Sequence, residues 1–263
     1  MEFRPATIDD VRGIVAVLAA NGEGHLDGRY VAHVLGTGFG IVACDGGEVV
    51  GFAATVTRVG VTHVADLFVD PACQGRRIGH TLLAGLIEPG APLTTFSSSH
   101  PAALPLYVRS GLVPWWPHFY LEGRPSRTVS SRLRVESAPA ALVAMLDHVD
   151  RGVDHDYFAS RPTGTTFVVR DKTGVIGGGH YSAGLLDVLL VADGADPAEV
   201  ALAVVGELAA ATVGPIVVAV PGPHPALLVL LESGLSIAGT DTYCSTSFGA
   251  IDPHRRLPHG GLG

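Results

Sequence analysis

Residues 70–81 read DPACQGRRIGHT and lie between an apolar run ending at Val69 and a second one opening at Ile78. The first run has strand character, the second helix character, and Asp70-Pro71 marks a turn between them. A helix N-terminus presents N–H groups without intrahelical acceptors and the positive end of the helix dipole. An anion placed there is stabilised by both. Gly75 and Gly79 let the backbone approach closely, and Arg76 and Arg77 can add charge-assisted bonds to phosphate oxygens. The stretch therefore reads as a cradle for a pyrophosphate. It lacks the glycine spacing of GxxxxGK[ST] and of GxGxxG, which disfavours the common nucleotide folds.

The flanking chain must hold that loop in place. Residues 7–20 read as a helix, 39–47 and 48–60 as strands joined at Asp45-Gly46-Gly47, and 61–69 as a third strand. Residues 77–88 are helical, 93–99 extended, 100–111 helical with Gly111 as the stop, and 112–123 extended. The same order returns further on: helix 138–149, hairpin strands 165–171 and 174–184 about Lys172-Thr173, strand 185–192, helix 196–213, strand 215–220, helix 224–234 and extended 235–247. The letters recur as well, with HPAALPLYVRSGL at residue 100 and HPALLVLLESGL at residue 224. Self-similarity at this spacing predicts a duplicated domain. The expected division is 1–123, 130–250 and a tail 251–263, with the boundary in the polar stretch EGRPSRTVSS. The expected fold class is mixed α/β, with two tandem domains, each a mostly antiparallel sheet flanked by helices.

The motif QGRRIG, residues 74–79, resembles the acyl-CoA loop of the GNAT N-acetyltransferase superfamily, [Q/R]-x-x-G-x-[G/A]. Gln74 and Gly79 match its ends, and Arg77 stands where the middle glycine belongs. LYVRSGLVP resembles that family's second signature, an L-Y-x-x-x-G-[F/L] helix end. Both occur in the family's order, and the resemblance extends over residues 1 to about 123.

The resemblance implies an N-acyltransferase that takes acetyl-CoA or another acyl-CoA as co-substrate and uses no metal. It implies direct attack by an amine of a small-molecule or peptide acceptor. By the same resemblance, backbone groups of Leu67, Phe68 and Val69 would hold the pantetheine arm like an added strand. One of their N–H groups, taken as that of Leu67, would face the thioester oxygen. Gln74, Gly75, Arg76, Arg77, Ile78, Gly79 and His80 would hold the diphosphate. A side chain at position 77 is compatible with this if the residue keeps right-handed helical angles. His100 falls where relatives place an asparagine near the pantetheine. Tyr107 matches the tyrosine that protonates the departing thiolate. His63 falls where some relatives carry the general base. Its ordinary pKa near 6.5 makes a neutral imidazole available at neutral pH. Period-two alternation puts His63, Ala65 and Leu67 on one side of the strand and Asp66 on the other, as a structural residue. The base position on the fifth strand holds Thr95, and a water chain could replace a dedicated base. Trp115 and Trp116 would line the acceptor site or pack between domains.

A shift of 122 residues sets Asp196 opposite Gln74, Glu199 opposite Arg77, Ala201 opposite Gly79 and Leu185 opposite His63. Aligning the SGL helix ends sets Leu230 opposite Tyr107. Two acids at a helix N-terminus answer its dipole and repel a diphosphate, so the second copy is expected to be degenerate in CoA binding. Residues 154–162 read as a connecting loop. The rival functions are a non-catalytic CoA- or ligand-binding protein and an acyltransferase fed by a carrier-protein or unusual acyl thioester.

Composition narrows the partners. The formal net charge is −8, lysine is nearly absent and no basic run occurs, so no nucleic-acid partner is expected. An acidic chain suits a cationic or neutral small substrate. The 3 cysteines are widely spaced, which argues against a disulfide framework or a zinc site. Apolar runs are far shorter than the roughly 18 residues of a membrane span, so no membrane partner is expected. The expectation is a cytoplasmic monomer or homodimer.

Overall fold

The structure, a computed structural model, describes residues 1–88, 90–126, 132–147 and 152–262. The end of the expected linker, 127–131, and of the expected helix 138–149, at 148–149, lie outside the described residues. Contact density divides the chain into two compact units, Met1–Thr95 with the C-terminal Gly261 and Leu262, and Phe96–Gly260.

The first unit comprises β1 (Glu2–Pro5), α1 (Val11–Ala20), α2 (Gly28–Thr37), β2 (Gly38–Asp45), β3 (Glu48–Arg58), β4 (Val61–Val69), α3 (Ile78–Leu86) and the start of β5 (Leu93–Ser97). The strands lie in chain order, β1-β2-β3-β4-β5. The first four pair antiparallel and β4–β5 pair parallel. The β2–β3 turn uses Gly46 and Gly47 at φ 63° and 94°, values that glycine adopts without steric penalty. Helix α3 sits hard on the sheet. A Cβ on Gly51 would lie 3.1 Å from both Ile78 and Leu82, and one on Gly85 would lie 2.7 Å from Ile41. These two glycines set how closely the helix approaches, and so where its N-terminus falls. Helix α2 has no counterpart in the sequence reading. Its start is Asp27, whose carboxylate accepts from the N–H groups of Arg29 and Tyr30.

The second unit comprises α4 (Ala103–Arg109), β6 (Val113–Gly123), β7 (Arg134–Ser137), α5 (Ala140–Ala144), α6 (Gly152–Ser160), β8 (Gly164–Asp171), β9 (Gly174–Ser182), β10 (Leu185–Val191), α7 (Pro197–Ala211), β11 (Ile216–Pro221), α8 (Ala226–Glu232), β12 (Ser236–Ser245) and β13 (Arg256–Leu257). Its strand order is β12-β6-β11-β10-β9-β8-β7, with β13 against β10. The core lies under α7 and α8, where Val200, Val204, Leu208 and Leu230 meet Leu186, Leu189, Val218 and Leu121.

Strand β6 explains why the units part at residue 95 rather than in the expected linker. It comes from the first half of the chain, yet it lies between β11 and β12 of the second. Phe119 faces Val220 on one side and Thr240 on the other. The expected boundary stretch is anchored too. The Arg124 guanidinium donates to the carbonyls of Thr212 and Gly214 at 2.7 Å and of Ala209 at 2.8 Å, satisfying the end of α7.

Residues 154–160, expected as part of a connecting loop, belong to α6. The helix is built into a buried polar chain. Asp147 accepts from His155 Nε2 at 3.3 Å and from Arg256 at 2.9 Å, and His155 Nδ1 lies 2.9 Å from His180 Nε2. His180 Nδ1 lies 3.0 Å from the Thr166 hydroxyl. Burial first, and His155 second, pull the His180 pKa down to about 3. Burial likewise lowers His118 to about 3 and His224 to about 4.

Two outcomes follow from this architecture. A fragment ending at Gly123 leaves β6 without β11 and β12, and it should show no cooperative thermal transition by circular dichroism. A folded 1–123 fragment would refute the role given to this pairing. The buried histidines stay neutral when folded but take protons near their ordinary pKa when unfolded. Their stabilising contribution is therefore complete above about pH 6.5 and lost as pH falls toward 3. The melting temperature should drop steeply between pH 6.5 and 4. A flat profile would contradict the assignment.

Candidate functional site

Strand β4 pairs with β3 along its whole length, from Val61–Arg58 to Val69–Gly51. With β5 the ladder holds only Thr62–Leu93 and His63–Thr94. Beyond that point one side-chain bond continues, from the Thr95 hydroxyl to the Val64 carbonyl at 3.0 Å. A strand paired on one side only can accept an extended, amide-bearing arm as an added strand. Leu67, Phe68 and Val69 lie on that stretch. Leu67 and Val69 pack toward α3. The Val69 carbonyl also accepts from Asn21 and Gln74 side chains, each at 3.2 Å.

The loop that follows starts as a short 3-10 turn, Pro71–Cys73, capped by the Asp70 carboxylate. Gly75 has φ 78°. Arg77, the residue before α3, has φ 61° and ψ 15°. The sequence reading required right-handed helical angles at position 77. The backbone instead keeps the left-handed conformation that a glycine would adopt there, although the residue carries a Cβ. That conformation costs a non-glycine residue about 1–2 kcal/mol. The turn thus has a glycine-like backbone at a residue that is not glycine. The N–H groups of Ile78, Gly79 and His80 belong to the first turn of α3 and have no acceptor within the helix. Gly75, Arg77 and His80 are exposed. The exposed turn and helix end have the shape and polarity that a diphosphate requires.

The two arginines differ. Arg76 reaches back to the β2–β3 turn and pairs with Asp45 at 3.2 Å, with both side chains exposed. Such a pair is weak and screened, and it engages the guanidinium with the β2–β3 turn. Arg77 projects into solvent.

Strand β4 also carries a β-bulge. Asp66 opposes Ala54 and Val64 opposes Thr55, so Ala65 is the extra residue. The bulge reverses the alternation expected from the sequence. His63 opposes Val56 and Asp66 opposes Ala54, and these two β3 residues share a face. His63 and Asp66 therefore share that face, while Leu67 lies on the other. Both are buried. His63 Nδ1 lies 2.9 Å from the Thr94 hydroxyl. Asp66 accepts from the Tyr30 hydroxyl at 3.1 Å. Burial pushes the Asp66 carboxyl up to about 7, and the negative charge of Glu23 adds to this, against the Tyr30 hydrogen bond. The C-terminal residues close over the pair. A Cβ on Gly261 would fall 2.1 Å from the Tyr30 hydroxyl, and Leu262 is buried. The sequence reading missed Tyr30. Its signal was the Asp27 cap followed by Tyr30, Val31 and Val34 at helical spacing.

The remaining expected site residues lie in the second unit. Tyr107 is buried on α4, and the equivalent residue on α8, Leu230, is a core leucine. His100 caps its own turn, its Nδ1 accepting the Ala102 N–H at 3.2 Å. His224 does the same for Ala226 at 3.1 Å. Capping therefore accounts for a histidine at this turn in both copies. Trp115 and Trp116 point to opposite faces of β6. Trp115 meets Phe248 at 5.1 Å, and Trp116 stacks on Tyr243 at 4.3 Å. At the start of α7, Asp196 caps the helix by accepting from Ala198 and Glu199, so a side chain takes the place an anion would fill. Among the described residues no group of three His, Cys, Asp or Glu side chains is placed to hold a metal ion.

Residues 26–125 match the family model described as acetyltransferase (GNAT) domain. That segment is a GNAT domain, and the chain as a whole has the fold of GNAT acetyltransferases, including a tandem one. A putative acetyltransferase from Pyrococcus horikoshii is 17% identical with a TM-score of 0.80, over 100% of this chain and 94% of that one. A tandem GNAT protein from the clavulanic acid biosynthesis pathway, solved without AcCoA, is 17% identical with a TM-score of 0.65, over 95% and 99%. A GCN5-related N-acetyltransferase from Sphaerobacter thermophilus is 14% identical with a TM-score of 0.60, over 100% and 98%. No curated protein matches in sequence. No helix among the described residues is long and apolar enough to cross a membrane.

Arg77→Gly should remove the left-handed strain and raise stability by about 1 kcal/mol, read from denaturant unfolding. A loss of stability would mean that the arginine side chain makes contacts outweighing the strain.

Proposed function

We propose that this chain is an acyl-CoA-dependent N-acyltransferase acting on an amine acceptor, with its donor site confined to the GNAT segment. The observation that carries this is the continuity of β4, open beyond His63 on its β5 side, with the Gly75–Arg77 turn and the start of α3. Acetyl-CoA would supply the activated acyl carbon. Main-chain groups of Leu67, Phe68 and Val69 would hold the amide-bearing arm. The N–H groups from Gly75 to His80 would hold the diphosphate, with Arg77 rather than Arg76 adding charge. The second copy would bind no CoA, since Asp196 already occupies its helix end.

The proton of the attacking amine would go to an Asp66 carboxylate oxygen. A carboxyl that titrates near neutral pH is matched to that task, and the Tyr30 hydroxyl orients it. His63 would orient Thr94 on the neighbouring strand. The Tyr107 hydroxyl would give its proton to the departing sulfur, a role resting on the family signature alone.

Calorimetry with acetyl-CoA tests the donor site. One equivalent should bind the parent, none the Gly79→Glu chain, and Glu199→Ala should change nothing. Binding that survives Gly79→Glu would sink the assignment.

Asp66→Asn should lower kcat by about 10²–10⁴-fold at unchanged acetyl-CoA affinity. The parent kcat/KM should rise through about pH 7. His63→Ala should keep that limb. Loss of the limb in His63→Ala, with Asp66→Asn near the parent rate, would return the role of base to His63. Tyr107→Phe should lower kcat more than acetyl-CoA affinity, and an unchanged kcat would make Tyr107 a packing residue.

A further inference from the structure

The two copies share a strand geometry that ends differently in each. Strand β4 makes two residue pairs with β5 and then leaves it. Strand β10 likewise makes two pairs with β11, Leu185–Val217 and Leu186–Val218, and then leaves it. Each strand bulges just past that point, β4 at Ala65 and β10 at Asp187, positions related by the shift of 122. The same shift sets Leu189, Leu190 and Val191 opposite Leu67, Phe68 and Val69, the residues proposed to hold the donor's amide-bearing arm. In the first copy the ladder with β5 does not reach these residues. In the second copy their equivalents are paired on both edges. Strand β9 takes one edge, with Leu189 opposite Gly179, Leu190 opposite Gly178 and Val191 opposite Gly177. The chain's own tail takes the other, antiparallel, with Leu189 opposite Leu257 and Leu190 opposite Arg256.

Because β9 fills the opposite edge, β13 lies on the side of β10 that faces β11, and it runs beside β11 as well. The Val191 N–H donates to the Arg255 carbonyl at 3.0 Å, and the Arg255 guanidinium donates to the Ala192 carbonyl. Arg256 pairs with Asp147 at 2.9 Å. Leu257 is 2% exposed and belongs to the core under α7 and α8. The tail is therefore held by main-chain bonds to a strand edge and by one apolar side chain set in a core. Extended peptides are recognised in this way when they add to a sheet. At the start of α7, Asp196 already stands where a diphosphate would sit. Asp196 and the tail together fill the anion and arm positions of the second copy with the chain's own groups.

We propose that the edge of β10 at residues 189–191 is a strand-docking groove whose occupant is this chain's own C-terminal peptide, residues 255–257 with their flanks. The second copy is a donor cleft converted into a seat for the tail. The likeness of the groove to an arm site rests on the acyltransferase reading, whereas the docking itself rests on the ladder alone. This accounts for a second copy that keeps the short parallel ladder and the bulge of a donor strand while lacking the loop. Main-chain bonds give the register, and the pocket for Leu257 gives selectivity. Groove and tail belong to one chain, so the tail is present at an effective concentration of order millimolar. A peptide offered from solution is therefore excluded until the tail is released.

The test uses the full chain and a synthetic peptide of residues 253–259, PHRRLPH, with no thioester present. Failure here leaves the acetyl-CoA and Gly79→Glu results standing, so the two readings fail separately. Leu257→Asp puts a charge into the core and should release the tail, with a lower melting temperature. The peptide should bind this variant with 1:1 stoichiometry by calorimetry and raise its melting temperature. The parent should bind the same peptide at least tenfold more weakly, because its groove is filled. A peptide carrying Leu257→Asp should bind neither chain. If the variant fails to fold, Leu257→Ala takes its place with the same expectations. Amide exchange of the parent, read by NMR, is an independent measure: the Val191 N–H should exchange as slowly as the paired N–H groups of β9. Equal binding of the peptide by parent and variant overturns the proposal, as does no binding to the folded variant at millimolar peptide or fast exchange at Val191. A parent that is dimeric by light scattering and monomeric as Leu257→Asp would put a second copy's tail in the groove, and that too overturns occupancy within one chain.

Discussion

The pairing of β6 with β11 on one side and β12 on the other is the constraint on which the second unit depends. Every buried N–H and carbonyl of an interior strand needs a partner. A strand with both edges paired cannot be supplied by a flexible neighbour. Here β6 begins at Val113, eighteen positions after Thr95, yet its hydrogen bonds are made by strands 93 or more residues later, as with Gly123 and Ile216. The ladder also sets which side chains meet. Trp116 reaches Tyr243 and His118 reaches Asp241 only through this register. A slip of one residue would send His118 to the core face and turn Phe119 and Leu121 out of it.

The donor side depends on a different kind of constraint, a backbone shape held by packing. Helix α3 is locked on β2 and β3 by the close approaches at Gly51 and Gly85, so its N-terminus has little freedom. The preceding turn must bridge from Val69 to that fixed point. Arg77 consequently occupies a conformation its own side chain disfavours, because the packing on either side outweighs a local penalty of about 1–2 kcal/mol. The same geometry in the second unit ends on Asp196, which caps α7. The start of α7 is thus closed by its own side chain, whereas the start of α3 carries no such acid.

Charge and burial divide the titratable groups. The carboxylate beside Tyr30 is raised by burial, while the histidines at 118, 180 and 224 are lowered by it. Desolvation disfavours whichever form is charged, so acids and bases move toward one another in pKa. Asp10 shows the contrary case. Its Arg4 partner at 2.7 Å, with further bonds from Thr7, takes it down to about 2 despite burial. Asp10 differs from Asp66 both in its guanidinium partner and in its lesser depth.

The sequence by itself determined the local elements and their repetition. Turn residues such as Asp45-Gly46-Gly47, apolar periodicity and the twice-used His-Pro turn act over a few positions, and such short-range signals are readable in one dimension. The loop at 74–79 was legible for the same reason, since a strand, a turn and a helix start are contiguous. Tertiary structure alone decided three matters. The bulge at Ala65 turned His63 onto the face of Asp66, because strand alternation holds only while the ladder is regular. Helix α2, opening on Gly28, brought Tyr30 to Asp66 through packing that its weak local signal did not announce. The pairing of β6 with β12 joined the two halves, because sheet register is set by hydrogen bonds and side-chain fit between segments far apart in the chain. No short-range preference encodes that choice.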